Sequence, residues 1–223
     1  MKKNKYLIPN TFTSVKQHLA FDDSIHNTLN DTQSSDFYLR LWEPNDYAIV
    51  LGKSNKENIE VNIEQSKKDN INIIQRPSGG GTVLLGPGCL CYTLFIPINY
   101  AETFQSIKHT NDTILSTHCQ ALSKLVDNIS YKGLTDLCIG QKKFSGNAQR
   151  RKKHTILYHG TFLYNYDIDQ ITSYLKHPSK EPEYRQERPH KDFLTNIPLS
   201  SQDITNALIK AWNIQKESSP LQT

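Results

Sequence analysis

The sequence predicts a fold that mixes helices and strands, of the α/β (α+β) class, on three observations. Apolar residues return at helical spacing over two long stretches, 15 to 29 and about 103 to 126. Between and after them lie short β-rich runs closed by Gly, Pro or Asn, the usual boundaries of strands. The third observation is size: 223 residues at 36% hydrophobic and 22% charged can bury one sizeable core and suggest neither disorder nor membrane insertion. One domain over 1 to 223 is expected, with KESSPLQT, 216 to 223, as a flexible tail.

In chain order, the first helix should place Val15, Leu19, Ala20, Ile25 and Leu29 on one side, with Ser14 or Thr13 as its cap. FYLRLWE (37 to 43) and YAIVLG (47 to 52) read as two strands joined tightly through the turn-like PND. The Glu- and Lys-rich stretch 56 to 70 reads as a loop and an exposed helix, followed by a third strand, INIIQRP. GTVLLG and CLCYTLFIP are near-continuous apolar runs, hence strands buried on both faces, joined by the turn Gly86, Pro87, Gly88. The second long helix carries Ile107, Ile114, Leu115, Ala121, Leu122, Leu125 and Val126 on one stripe. LTDLCIG and HTILYHGTFLYNY are further strands separated by the basic run RRKKH. DIDQITSYL and DITNALIKAW are two later helices, and EPEYRQERPHKDF between them is irregular and charged.

Several function classes are disfavoured at once. Cys89, Cys91, Cys119 and Cys138 form no CxxC pair and no metal-like spacing, so no metal site is expected and the thiols read as reduced core residues. The opening MKKNKYLIPNTF has a three-residue apolar run before Pro9, too short for a signal peptide or membrane anchor. A cytoplasmic chain with no membrane partner is expected. A net charge of +4 is too mild to argue for nucleic acid, and the basic residues lack interleaved aromatics, so no nucleic-acid partner is expected. The charge suits an anionic small molecule or an acidic protein equally.

Two stretches carry chemistry. RPSGGGTVLL, from Arg76, puts three glycines beside a strand, where bare backbone can bring N–H groups against a phosphate or carboxylate. It lacks the nucleotide GxxxxGK[ST] pattern and opens a strand rather than a helix, so it is neither a P-loop nor a dinucleotide fingerprint. A flexible hairpin loop is the plainer alternative. GQKKFSGNAQRR, 140 to 151, places lysines beside a Ser-Gly-Asn turn just after an apolar strand, where a lysine could neutralise charge developing on a carbonyl or phosphoryl oxygen. Lys142, Arg151, Lys152 and Lys153 read as solvated charge. Lys143 gains meaning only with the glycine motif as its partner.

Together, RPSGGGTVLL, LTDLCIGQKKFSGNAQRR and YHGTFLYNYDI resemble, in order and spacing, the lipoate-protein ligase family, whose pattern is R-x-S-G-G-G-x-V, D-L-x-x-x-x-x-K-x-S-G-x-A and H-G-T-L-L. LWEPNDYAIVLGKSNKENIEVN resembles that family's N-terminal segment, and the likeness covers about residues 10 to 200. The resemblance implies a mixed β-sheet flanked by helices, a biotin/lipoate-protein ligase-like catalytic domain. It implies an enzyme that joins lipoate or octanoate to a lysine of a lipoyl domain, in 2-oxoacid dehydrogenase complexes or the glycine cleavage H protein. ATP, with Mg²⁺ as its substrate complex, would be consumed through an acyl-adenylate. By the same resemblance Ser78, Gly79, Gly80 and Gly81 would wrap the adenylate phosphate, with Arg76 beside them. Lys143 and Asp136 would be catalytic, and Ser145, Gly146, His159, Gly160 and Thr161 would line the adenylate side.

Three departures accompany the match. The family often has a histidine four residues after the last glycine of the triple, and here that place is Leu85. Many ligases carry a C-terminal accessory domain, whereas this sequence ends about where the catalytic domain should, which implies a separate accessory protein, unaided adenylation or a pre-activated donor. Cysteine-dependent octanoyltransferases, which take the acyl group from acyl carrier protein, would have their nucleophile near Asn128, where no cysteine stands. Cys138, expected on the same strand side as Asp136, is the candidate for that alternative. A non-catalytic subunit that binds lipoyl domains is a further alternative. Arg150 to His154, with Arg185, Arg188, His190 and Lys191, form either a positive rim that steers an acidic acceptor or solvated surface charge.

Overall fold

In a computed structural model of the chain, the described residues are 4–9 and 12–218. They form, in order, β1 (Lys5–Ile8), α1 (Val15–Asp31), β2 (Phe37–Trp42), β3 (Ala48–Leu51), α2 (Glu57–Glu60), α3 (Ile63–Lys68), β4 (Asn72–Gln75), β5 (Val83–Leu85) and β6 (Cys89–Pro97). There follow α4 (Ile107–Leu122), β7 (Ile129–Lys132), β8 (Asp136–Ile139), β9 (Lys142–Arg151), β10 (Thr155–Leu163), α5 (Asp169–Tyr174), α6 (His190–Phe193), α7 (Ser201–Trp212) and β11 (Lys216–Glu217). Short 3₁₀ turns occupy Glu102–Gln105 and Glu183–Arg185.

The strands make two sheets, one of eight in the order β11-β1-β2-β6-β10-β9-β8-β7 and one of three in the order β4-β3-β5. β6 sits in the middle of the larger sheet, antiparallel to β2 and β10, and all nine of its residues are buried. Its alternate positions serve two different cores. Leu90, Tyr92, Leu94 and Ile96 pack under α4 and α7, with Ile114, Leu115, Leu122, Ile204, Leu208 and Trp212. On the other face Phe95 meets Ile25 and Leu29 of α1, and Cys89 and Cys91 meet Ile49, Val50, Leu84 and Leu85 of the small sheet. A run apolar on both faces is what a strand between two layers needs. The mixed sheet with flanking helices agrees with the predicted class.

The pairings differ from the expectation. The runs expected at 37 to 43 and 47 to 52 are both strands, but β2 belongs to the large sheet and β3 to the small one, so the chain changes sheet at Pro44–Tyr47 rather than closing a hairpin. β5 and β6 likewise lie in different sheets, the Gly86–Gly88 turn carrying the chain between them. The helix expected from about 103 starts at Ile107, because Ser106 caps it by accepting from the His109 N–H, and it ends at Leu122. Ile107 and Leu125 therefore stay exposed. Val61, fully buried and bridged to Leu175, splits the expected helix of 56 to 70 into α2 and α3. The basic motif GQKKFSGNAQRR is mostly strand β9, and β7 was not expected at all. Of the expected tail, Lys216 and Glu217 pair in parallel with β1, a correction, while 219 to 223 lie outside the described residues. Among the described residues no helix is long and apolar enough to cross a membrane.

Candidate active site

A cavity of about 660 Å³ lies between the two sheets. Asp136 on β8, Lys143 and Gly146 on β9, His159 and Thr161 on β10, Thr93 on β6 and Trp42 on β2 line it, so it crosses five neighbouring strands. At the usual strand spacing this is a span of roughly 19 Å. Val50 of β3 and Val83 and Leu85 of β5 form the facing wall, with Gly80, Gly81 and Thr82 entering from the loop before β5.

The glycine loop is held from behind by Arg76. Its guanidinium donates to the carbonyls of Gly79 (2.8 Å), Gly81 (2.7 Å) and Val50 (3.2 Å) and to Ser78 Oγ (3.0 Å). Ser78 in turn meets His159 Nε2 at 2.6 Å. Ser78 Oγ accepts from Arg76 and keeps its own proton to give to a neutral imidazole. Burial, then the charges of Arg76 and His26, depress the His159 pKa to about 3, in agreement. Gly80 adopts φ +90, a conformation only glycine takes without strain, within 3.0 Å of the arginine at its would-be Cβ. With the carbonyls turned back onto Arg76, the N–H groups of Gly79, Gly80, Gly81 and Thr82 have no hydrogen-bond partner among the described residues. The Thr82 hydroxyl is buried and equally unpartnered. That is a set of donors awaiting an acceptor.

Lys143 reaches the cavity from β9. Its Nζ lies 2.8 Å from Asp136 Oδ1, the side chains being 26% and 8% exposed. Gly146 makes this possible, because a Cβ there would stand 2.8 Å from the ammonium. Asn147 next to it is pinned, accepting from the Tyr92 hydroxyl (2.5 Å) and donating to the Thr135 carbonyl (2.7 Å). Tyr184, from the charged segment before α6, donates to Asp136 Oδ2 at 2.8 Å.

Towards β2 the cavity walls are Leu19, Trp42, Val50, Leu85 and Cys91, with Asp22 and Thr93 among them. Asp22 ion-pairs with fully buried Arg40 (2.8 Å) and accepts from Thr93 Oγ1 (2.6 Å). Burial pushes the Asp22 carboxyl up, against the pull of Arg40 and Thr93. His18 stacks on Trp42 at 4.0 Å and accepts from Arg40 at 2.5 Å. Its pKa falls to about 4 through burial and the Arg40 charge. The Trp42 indole N–H is buried without a partner among the described residues.

Of the residues named from sequence, Arg76, Gly80, Gly81, Asp136, Lys143, Gly146, His159, Gly160 and Thr161 line this one cavity. Ser78, Gly79 and Ser145 stand behind it as support, Ser145 taking a hydrogen bond from Asn147. Cys138 stays on the strand side of Asp136, as expected, both meeting the Tyr184 hydroxyl, but it does not line the cavity: its thiol donates to that hydroxyl at 3.5 Å, and the register shift opposite Leu137 and Cys138 falls on β9. Burial raises the Cys138 pKa. Leu85 lines the wall where the resemblance gives a histidine. The basic run does not form a rim here. Arg150 pairs with Asp23, Arg151 donates to Phe104 O and Thr110, and Lys152 meets Asn27, so these tie the β9–β10 hairpin to α1 and α4. Arg185 does line the cavity. Trp42, Thr82, Asn147 and Tyr184 were not legible from sequence, although Asn147 sits inside a quoted motif. Among the described residues no group of three His, Cys, Asp or Glu side chains is placed to hold a metal ion.

Comparison with known proteins gives this geometry a family. Residues 14–214 match the family model of the lipoyl protein ligase A/B catalytic domain. The chain is 30% identical over 177 residues to lipoate–protein ligase 1 of Staphylococcus aureus, covering 79% of this chain and 51% of that protein. It is 31% identical over 163 residues to a probable lipoate-protein ligase A of Mycoplasma pneumoniae, covering 70% of this chain and 47% of that protein. It thus spans about half the length of these relatives. Among solved structures, its fold is similar to that of a bi-partite lipoate protein ligase from Thermoplasma acidophilum, with a TM-score of 0.81 at 20% identity over 100% of this chain and 90% of that one. A lipoate-protein ligase A bound with ATP gives a TM-score of 0.80 at 20% identity over 99% and 92% of the two chains. At such identities the structural likeness is one of fold. The match over residues 14–214, most of the chain, places this protein in the lipoyl protein ligase A/B catalytic domain family.

Proposed function

We propose that the chain is a catalytic domain that joins lipoate or octanoate to the ε-amine of a lysine on a lipoyl domain, through an acyl-adenylate. The observation that carries this reading is the pairing of free N–H donors at Gly80, Gly81 and Thr82 with Lys143 on one cavity whose inner walls are apolar. The span of roughly 19 Å has room for an extended acyl chain of about eight carbons and a phosphate end to end. The acyl carboxylate attacks the α-phosphorus of ATP, which enters with Mg²⁺, and pyrophosphate leaves. The adenylate phosphate rests on the glycine-loop donors and the acyl carbonyl faces Lys143. The acceptor amine then attacks the carbonyl carbon, the bond to the phosphate oxygen breaks, and AMP departs with the electron pair. Lys143 contributes by neutralising the oxyanion in a site largely cleared of water, and the pinned loop contributes by orientation.

Likeness supports the ligand classes: the similar ligase was solved with ATP, and a putative lipoate protein ligase of T. acidophilum with lipoic acid. The T. acidophilum ligase is described as bi-partite and was studied with its E2 lipoyl domain. On that likeness the acceptor proposed here is a lipoyl domain, and a separate accessory protein is a candidate partner; 2-oxoacid dehydrogenase complexes and the glycine cleavage H protein come from the sequence resemblance alone. The thioester route has less support, because Cys138 is off the cavity and Cys91, which lines it, is pushed well above the ordinary thiol range by burial. A subunit that only binds would use the same donors, and turnover alone separates it from a ligase.

The test is intact-mass analysis of an apo lipoyl domain incubated with the protein and lipoate, with and without ATP and Mg²⁺, and separately with octanoyl-acyl carrier protein. A mass gain that requires ATP is expected. A gain only from the thioester donor would replace ligation by transfer, and none from either donor, with or without an accessory protein, would leave binding as the function.

A further inference from the structure

Residues 176 to 189 cross the outer end of the cavity and contribute Pro178, Lys180, Glu181, Pro182, Glu183 and Arg185 to its lining. The segment is tied to itself. Glu181 accepts from the Glu187 N–H (2.8 Å) and pairs with His177 (3.0 Å) and Arg185 (3.3 Å). Gln186 and Glu187 hold φ values of 53 and 57, a left-handed turn that non-glycine residues keep only where their surroundings impose it. Tyr184 lies in the middle of this segment, its ring tilted on Phe193 at 5.3 Å. Its hydroxyl donates to Asp136 Oδ2 at 2.8 Å, and Asp136 Oδ1 is the partner of Lys143 Nζ at 2.8 Å. Lys143 Nζ has no other hydrogen-bond partner among the described residues.

A carboxylate turns easily about its last bond, and a lysine stem is flexible, so one contact between them fixes neither. A second donor on the other carboxylate oxygen fixes the plane, and with it the direction in which the first oxygen presents. Burial, reinforced by Asp136, drives the Tyr184 pKa far upward, which keeps the phenol a donor at any working pH. We propose that Tyr184 is a positioning residue: by holding Asp136 it sets where the Lys143 ammonium points, and it makes that setting depend on the outer segment being in place. The inference deepens the proposed reaction and rests on it only for the consequence in turnover.

The variant is Tyr184→Phe, which keeps the ring on Phe193 and removes one hydroxyl. Positioning is read first without turnover, as the rate at which an amine-reactive ester labels Lys143, followed by peptide mass mapping with exposed Lys210 as the internal reference. Labelling of Lys143 should rise several-fold in Tyr184→Phe and in Asp136→Asn, with Lys210 unchanged; an unaltered Lys143 in Tyr184→Phe overturns the proposal whatever the enzyme's activity. Given acyl transfer, kcat should fall by about tenfold, the order of a lost hydrogen bond to a charged group, while KM for acyl acid and ATP stays within about twofold. In an Asp136→Asn background the same change should cost nothing further. Independent, multiplying losses would mean that Tyr184 does not act through Asp136, and a rise in KM alone would make it a binding contact of the segment.

Discussion

Arg76 and Lys143 are both cations on the same cavity, and they are built in opposite ways. Arg76 is 7% exposed, with its guanidinium shared among three carbonyls and a serine, all from its own side of the cavity. Lys143 has one carboxylate and open space. On the proposed reaction the difference separates shaping a site from acting in it: Arg76 turns the loop carbonyls away so that the N–H groups remain free, whereas the charge of Lys143 would be available to an incoming oxygen. Their chemistry follows, since a planar fork suits several fixed acceptors and a mobile ammonium suits one that arrives.

The sharpest way to break this contrast is Lys143→Ala. Acyl transfer to an apo lipoyl domain should fall by ~10²–10³-fold, the scale for removing a group that stabilises developing charge. The denaturant midpoint should hardly move, because a half-open ion pair contributes about 1 kcal/mol or less. Arg76→Ala should do the reverse in emphasis. It leaves the carbonyls of Val50, Gly79 and Gly81 without their donor, so urea unfolding should show a loss of about 3 kcal/mol. Equal stability of the two variants would abolish the distinction.

Acid should find the scaffold side first. His159 stands by Ser78 and Arg76 with a pKa near 3, His118 near 3, and His18 and His26 near 4, all depressed first by burial. The unfolded chain takes up these protons around pH 6.5 and the folded one does not. Stability is therefore full above about pH 6.5 and declines as pH falls towards 4, by up to ~1.4 kcal/mol per pH unit for each histidine. The thermal midpoint should drop between pH 7.5 and 5; a flat profile would show that these imidazoles are not held neutral. The mildest change is Gly146→Ala, whose methyl meets only the flexible end of Lys143 at 2.8 Å. The lysine should swing off Asp136, with a loss of a few-fold in transfer rate and less than about 0.5 kcal/mol in stability.

Much of the site could be read from the chain because its parts are local. The glycine triple needs bare backbone wherever it lies, and Ser145, Gly146, His159 and Thr161 follow from motif order. Tyr184 could not be read in this way. It belongs to a stretch that looks irregular and charged, and it reaches Asp136 from 48 residues away. Trp42 reads as one more aromatic in a strand until α1 brings His18 against it. The run 150 to 154 read as either a rim or solvated charge because like charges adjoin in sequence, yet α1, α4 and the turn before α4 supply acceptors for Arg150, Arg151 and Lys152.

By itself the sequence determined the class of fold, the helix α1 with its cap, the doubly buried strand β6 and the two motifs that meet in the cavity. Each of these depends on periodicity, propensity or a short backbone requirement, which neighbouring residues express. The tertiary structure alone decided that β2 and β3, and again β5 and β6, part into different sheets, and thereby that a cavity exists between them. A strand's apolar pattern records that a face is covered, not which sheet covers it. Arg76 finds three of its four acceptors within five residues of itself, so its place in the scaffold is mostly local, whereas the carboxylate that Lys143 meets is held by Tyr184 from 48 residues away, a contact only the folded chain can make.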